Sequence, residues 1–406
     1  MVTTDGAVLE ASSHGAAGTA LTKVRAASCG RLRTLDGLRF LAAVGVMLYH
    51  YTASLSNVWD EPSGARFPVL GHIAMYFALA PQLFFVLSGF VVLWTAWGRS
   101  VPQVVASRAA RLLPAYWAAL ALTSVLLLVI WPEGRHISGG QVAVNATLLQ
   151  GLFGVSNVDG VYWTLWAELR FYVLVALLVA WGLTRRRVLV FAAVWPIVGV
   201  VADHSRWEHV STALIGSNAV FFAGGMLLFL IWRDGHAWLP WILVCANVLL
   251  GVWAVGLPMV ARLRYFTVFE PSPMLVAAVV VACFAAVAIT TLTPLSRWDW
   301  STLTTVGALT YPLYLVHMTW GWWVIDHLHT SAPTYLTLAA AIAVAVALAL
   351  AVHHGVEQTV SRPMRRRLED ALVRARATRI DQERMDRTST AGLTTAPPPE
   401  LARAVR

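Results

Sequence analysis

Charge is what this sequence lacks most. Asp, Glu, Lys and Arg make up only 13% of its 406 residues, about half the share of an ordinary soluble domain. Nearly half of those charges fall in the first 39 and last 49 positions, so the stretch between is poorer still. Too little polar surface remains to keep a chain of this size dispersed in water, which excludes an ordinary cytosolic enzyme and a disordered chain. Cysteine is scarce as well. Three residues, Cys29, Cys245 and Cys283, with no ligand spacing among them, exclude a disulfide framework and a zinc site. No internal repeat is visible. A basic–apolar–small order is also missing from the first 30 residues, so no signal peptide is expected.

What the chain has instead is apolar length. Hydrophobic residues make up 58% of the sequence, and runs of about 20 such residues are long enough to cross a bilayer as helices. Ten spans are read, at 36–53, 73–97, 112–131, 160–182, 188–203, 211–232, 238–256, 271–291, 301–325 and 333–354. The expected fold class is therefore all-α, a polytopic integral membrane protein. The stretch 138–152 reads as a loop or a membrane-surface segment. Residues 1–30 and the end of 368–406, rich in small polar residues and proline, are expected to be disordered tails.

The net charge of +9 does not point to nucleic acid, because its distribution has a topological explanation. Lys and Arg number 24 on one side of the ten spans and five on the other, with Arg170 inside a span. By the positive-inside rule both termini are cytoplasmic, in a multi-pass protein of the cell membrane. Of the 19 Trp residues, Trp59, Trp131, Trp207, Trp238 and Trp298 lie near span ends and are read as interfacial anchors.

Ionisable groups at membrane depth are costly and mark function by default. In Leu35-Asp36-Gly37-Leu38-Arg39…His50, the 11-residue spacing puts Arg39 and His50 on one helix face, about 16 Å apart along it. A plain anchoring charge and a surface imidazole are the competing reading. In Ser107-Arg108-Ala109-Ala110-Arg111, the two arginines lie one turn apart at the cytoplasmic mouth, where forked guanidiniums suit phosphate. Ordinary anchoring competes there too. Glu168 and Arg170 lie deep in the aromatic run Tyr162–Tyr172, as a functional acid or as a structural ion pair. His317 follows Pro312 inside a span, and a merely hydrogen-bonded histidine is its alternative. Counted along the spans, His50, Glu168 and His317 fall in the outer half and the three arginines at the cytoplasmic face. Asp326-His327-Leu328-His329 is discounted as a metal site in a short external loop, His353-His354 reads as interfacial at the end of the last span, and Asn145-Ala146-Thr147 as a chance match to a glycosylation pattern; no metal site is expected.

At these residues the chain resembles the membrane-bound acyltransferase 3 family. The resemblance rests on Leu35–Arg39 with His50, on Phe84-Phe85-Val86-Leu87-Ser88-Gly89-Phe90, and on Arg108-Ala109-Ala110-Arg111 with Pro114. Trp163-Thr164-Leu165 with Glu168, Phe171 and Tyr172, and Tyr314-Leu315-Val316-His317, complete it in family order. It covers residues 31–367. Where family members often carry Glu-x-Pro, this chain has Ser361-Arg362-Pro363.

The resemblance implies transfer of an acyl group, usually acetyl, from an acyl-CoA to a hydroxyl of a glycan, glycolipid or macrolide-type natural product. Acyl-CoA is the donor substrate, and no permanently bound cofactor is implied. His50 is then the expected general base, with Glu168 and His317 supporting it, and Arg39, Arg108 and Arg111 the donor-phosphate ligands. An acyl-histidine intermediate is the mechanistic alternative. A proton-coupled secondary transporter, using the same buried His, Glu and Arg as a relay, is the rival from another class.

Overall fold

The computed structural model describes residues 32–361 and 363–375, and within them the secondary structure is entirely helical. The expected tails, Cys29 and the departure at Arg362 lie outside the described residues; the part of the C-terminal tail that is described, 368–375, continues the last helix. We number the long helices α1 (Arg33–Thr52), α2 (Pro68–Ala96), α3 (Val101–Ile130), α4 (Gly160–Trp181) and α5 (Arg185–His204). They continue with α6 (Ala219–Asp234), α7 (Trp238–Phe266), α8 (Pro273–Leu292), α9 (Ser301–Leu328) and α10 (Thr334–Val352).

Local sequence explains where they start and stop. α3 begins eleven residues before its expected span, because Ser100 caps it, Gln103 closes the capping box and Pro102 occupies the first turn. The early start carries Arg108 and Arg111 onto regular helix. Gly182, at φ 100°, ends α4 in a backbone conformation that side chains disfavour. The span expected at 211–232 is interrupted: Ile215 adopts a left-handed φ of 69° between a short helix, Glu208–Leu214, and α6. Residues 138–152, read as a loop or membrane-surface segment, hold the short helix Gly139–Ala146, capped by Ser138, whose side chain accepts from Gln141 N.

Among the described residues, eight helical segments are long and apolar enough to cross a membrane. The two other expected spans, α1 and α9, are regular helices of 20 and 28 residues but fall short in mean hydropathy. Asp36 and Arg39 dilute α1, and Thr, Tyr, Trp and His dilute α9.

α6 forms the centre, with every residue from Ala219 to Ile231 buried. It crosses α2 closely enough that a methyl on Gly89 would strike the Phe222 carbonyl, and one on Gly225 the Val86 carbonyl. The Phe84–Phe90 segment thus packs through a small residue, Gly89. α1 lies against α9 in the same direction, Asp36 level with Gly307 and Tyr51 level with Gly321. Two of the expected interfacial anchors are instead core: Trp59 is fully buried, donating its indole N–H to Tyr51 O at 3.0 Å, and Trp131 is buried too. Trp207, Trp238 and Trp298 are exposed.

Candidate active site

Five helices converge on a cavity of about 90 Å³. α1 supplies Arg39, α2 Phe84, Phe85 and Ser88, and α3 Arg111 and Leu112. α4 supplies Thr164, Leu165, Glu168 and Tyr172, and α9 Thr310, Tyr311 and Tyr314. That volume is well below the roughly 300–1,000 Å³ of a pocket enclosing a drug-sized ligand, so it suits a slender arm rather than a bulky headgroup.

The acid belongs to this chamber. Glu168 Oε1 accepts from Tyr172 Oη at 2.5 Å and from Ser88 Oγ at 3.1 Å. One turn separates Tyr172 from Glu168, which lets the phenol reach back along the same helix face. Arg170, two residues on, turns away from both. Its guanidinium donates to the carbonyls of Trp166 and Thr212 and lies 4.9 Å from the Trp166 ring. The Glu168–Arg170 ion pair considered from sequence does not form.

The arginines divide. Arg111 is exposed and lines the chamber, while Arg108 is buried behind it. Arg108 Nη2 donates to Thr95 Oγ1 at 2.9 Å, and its guanidinium lies 5.8 Å from the Tyr172 ring. Arg39 is half-buried, with Nη1 3.7 Å from Asp36 Oδ1. A lone carboxylate, Glu168, thus shares the chamber with two guanidiniums and has a third close behind. The excess is cationic.

The histidines form a second centre on α1 and α9. The rings of His50 and His317 are 5.5 Å apart, with Tyr49 at 5.0 Å and Trp322 at 6.1 Å from His50. His317 is fully buried, and its Nδ1 lies 2.9 Å from Tyr314 O and 3.3 Å from Leu313 O. A carbonyl can only accept, so Nδ1 carries the hydrogen, and in the neutral imidazole Nε2 then presents a bare lone pair. That Nε2 and His50 Nδ1 are buried without a bond to any protein group. Tyr314 joins the two centres: it lines the chamber, its ring is 5.7 Å from His317, and its hydroxyl meets Thr164 Oγ1 at 2.9 Å.

The sequence-predicted residues therefore regroup. His50 and His317 come together as expected. Glu168, counted with them by depth, sits instead with Arg39 and Arg111, because it is one turn from Tyr172 and faces Ser88 on α2. Three contributors escape a reading of the sequence. Ser88 lies within the Phe84–Phe90 segment without a chemical role read for it, and Tyr51 adjoins His50. Asp159 resembles an ordinary turn residue, yet it is fully buried and accepts from Val161 N, Thr319 N and Thr319 Oγ1.

The features set aside are structural. Asn145 is fully buried and bonded to Gln141 O, Ser156 O and Val158 N, so its glycosylation-like pattern is inaccessible. His329 Nε2 meets Asp60 Oδ2 at 2.7 Å, while His327 Nδ1 meets Trp323 O. His353 Nδ1 meets Glu357 Oε2 at 2.7 Å. Among the described residues, no group of three or more His, Cys, Asp or Glu is placed to hold a metal.

This arrangement of paired imidazoles and a cationic chamber lies within residues 32–352, which match the model of an acyltransferase domain. The chain belongs to the acyltransferase 3 family, membrane proteins that transfer acyl groups. No curated protein and no solved structure matches it.

Proposed function

We propose that the protein is an integral-membrane O-acyltransferase that moves an acyl group, acetyl in the first instance, from acyl-CoA to a hydroxyl. The acceptor is a glycan, a glycolipid or a macrolide-type natural product. The observation that carries this reading is that α1 and α9 each contribute to both centres. Arg39 and His50 share α1; Tyr311, Tyr314 and His317 share α9. A donor held by its phosphates at Arg39 and Arg111, with Arg108 adding charge from behind Tyr172, would extend its thioester arm along the chamber toward the imidazoles.

There His50 takes the proton of the acceptor hydroxyl as its oxygen bonds to the thioester carbonyl carbon. The carbon–sulfur bond then breaks, and the departing thiolate recovers the proton from the imidazolium. General-base assistance of this kind is worth about 10²–10⁴-fold. His317, with Nε2 free to accept, holds the second imidazole position. Glu168 tempers the positive charge of the chamber and fixes Ser88 and Tyr172.

Lys and Arg outnumber their opposite-side counterparts 24 to five, which supports a cell-membrane topology with both termini and the donor mouth in the cytoplasm. In a background lacking native cysteines, a label at Arg186→Cys is expected to react from the cytoplasm and one at Glu61→Cys from outside; both positions are exposed. Opposite accessibility overturns the topology.

Purified protein in detergent is expected to form acylated product only when acyl-CoA is supplied. A proton-coupled transporter, the rival reading, needs a sealed compartment to do work and would form none.

A further inference from the structure

α1 and α9 are tied by a reciprocal pair of hydrogen bonds at the level of the two imidazoles. Tyr51 Oη, on α1, donates to the backbone carbonyl of His317 at 2.6 Å. Trp322 Nε1, on α9, donates to the backbone carbonyl of His50 at 3.1 Å. Each helix thus grips the other at the residue that bears the imidazole. A carbonyl has two lone pairs, so the bond to His317 O, in the middle of α9, adds to that helix's own bonding. At His50, in the last turn of α1, the Ser54 N–H turns to Tyr49 O, and the indole N–H bonds the carbonyl where the helical ladder ends.

The surroundings fix this clasp from several sides. Tyr51 is fully buried, and its ring occupies the space that a methyl on Gly321 would fill. Its backbone carbonyl receives Trp59 Nε1. Beyond His317, the buried Asp159 carboxylate holds Thr319 by its hydroxyl at 2.5 Å and its N–H at 3.3 Å. The stretch of α9 from His317 to Trp322 is therefore bound to α1 at two points, one through its backbone carbonyl and one through an indole N–H, and at a third to Asp159, the residue that caps the start of α4.

We propose that Tyr51 and Trp322 are positioning residues for acyl transfer, their reciprocal bonds setting His50 and His317 at working distance from each other. Neither is assigned a proton or a contact with the donor. The proposal rests on the acyl-transfer reading, in which a misplacement of about 1 Å at the reacting groups costs up to about 10²-fold.

The test uses Tyr51→Phe, which removes one hydroxyl and keeps the ring, and Trp322→Phe, which removes the indole N–H. In single-turnover assays of the full chain in detergent, each is expected to slow transfer about 10–100-fold. Acyl-CoA affinity is expected to stay within about twofold, because the arginine chamber is untouched. The double variant is expected to lose little more than either single one, since both bonds serve one geometry. Transfer within twofold of wild type in both variants overturns the proposal, and so does a loss confined to donor affinity.

A second measurement does not depend on acyl transfer. Carbethoxylation of His50 and His317 by diethyl pyrocarbonate, resolved by peptide mass spectrometry, is expected to change at least threefold in each variant relative to His353 and His354. Unchanged rates in both overturn the clasp. Changed rates in a protein whose wild type forms no product from acyl-CoA sustain the clasp and overturn the enzymatic reading instead.

Discussion

α1 and α8 are both 20 residues long, and they are built in opposite ways. α8 carries no charged residue, and only a third of its most apolar stretch is buried in the protein. α1 carries Arg33, Asp36, Arg39 and His50, and much of its length, Asp36 included, is buried against neighbouring helices. A helix that faces lipid must satisfy its solvent alone, so it is apolar throughout. A helix that faces other helices can keep ionisable groups, because partners supply the bonds that lipid cannot. Mean hydropathy scores each helix as if it stood alone. It therefore finds the apolar helices, the buried α6 as well as the outer α8, and undervalues α1 and α9, the two helices that carry the imidazoles.

The sharpest way to break this contrast is at His50. His50→Ala is expected to lower single-turnover acyl transfer by about 10²–10⁴-fold while the folded protein still binds acyl-CoA. Wild-type transfer by that variant, or loss of donor binding in it, removes His50 from the chemistry.

The next largest effect is expected in the chamber. Arg111→Gln loses a charge-assisted contact worth about 1.5–3 kcal/mol, or roughly 10–150-fold in acyl-CoA affinity. Arg39→Gln is expected to behave alike, with Arg39→Lys retaining part of the affinity because it keeps the charge and loses the fork. Calorimetry with a non-transferable acyl-CoA analogue measures both. A defect seen only toward the acceptor would separate these arginines from the donor.

Glu168→Gln sharpens the division between the two centres. The amide oxygen can still accept from Ser88 and Tyr172, so the substitution isolates the charge. We expect acyl-CoA to bind more tightly, through loss of a nearby negative charge, and transfer to fall less than about tenfold. A loss as deep as that of His50→Ala would return Glu168 to the imidazoles.

The smallest effect concerns the end of the α1–α9 pair beyond the imidazoles. Burial opposes a charge on His329, yet the hydrogen bonds from its imidazole to Asp60 and to the Ile325 and Asp326 carbonyls prevail and raise its pKa above the ordinary 6.5. A raised folded-state pKa stabilises the fold fully below the unfolded value of about 6.5 and loses that contribution as pH climbs through the folded one. Asp60→Asn is thus expected to lower the thermal midpoint at pH 5.5 and to change it less at pH 9. A deficit that grows with pH would contradict the assignment.

Much of this is legible in the chain. Apolar length marks the helices, and helical geometry alone turns the 11-residue spacing in α1 into a shared face for Arg39 and His50. Depth along a span is cruder. It misplaces Glu168, because the partners that decide its position, Ser88 and Tyr172, are identified only when α2 packs beside α4. Arg108 and Arg111 share a face by periodicity, yet one lines the chamber and the other backs Tyr172, a distinction of a few ångströms. Asp159 and Trp59 escape for the same reason. A polar loop residue and a span-end tryptophan look like surface until the loop folds inward over α9.

The pairing of α1 with α9 also bears on how the protein is made. The two helices that share the imidazoles are the first and ninth to emerge, about 270 residues apart, which is tens of seconds of synthesis at roughly 5–20 residues per second. Throughout that interval Asp36, Arg39 and His50 lack the neighbour that later covers them. Nascent chains arrested before Ser301 are expected to leave α1 extractable by urea, and chains released after α10 are not. On the ten-span reading, biogenesis is expected to limit the polarity α1 can carry, independent of catalysis, because the helix that covers it arrives only with the last quarter of the chain.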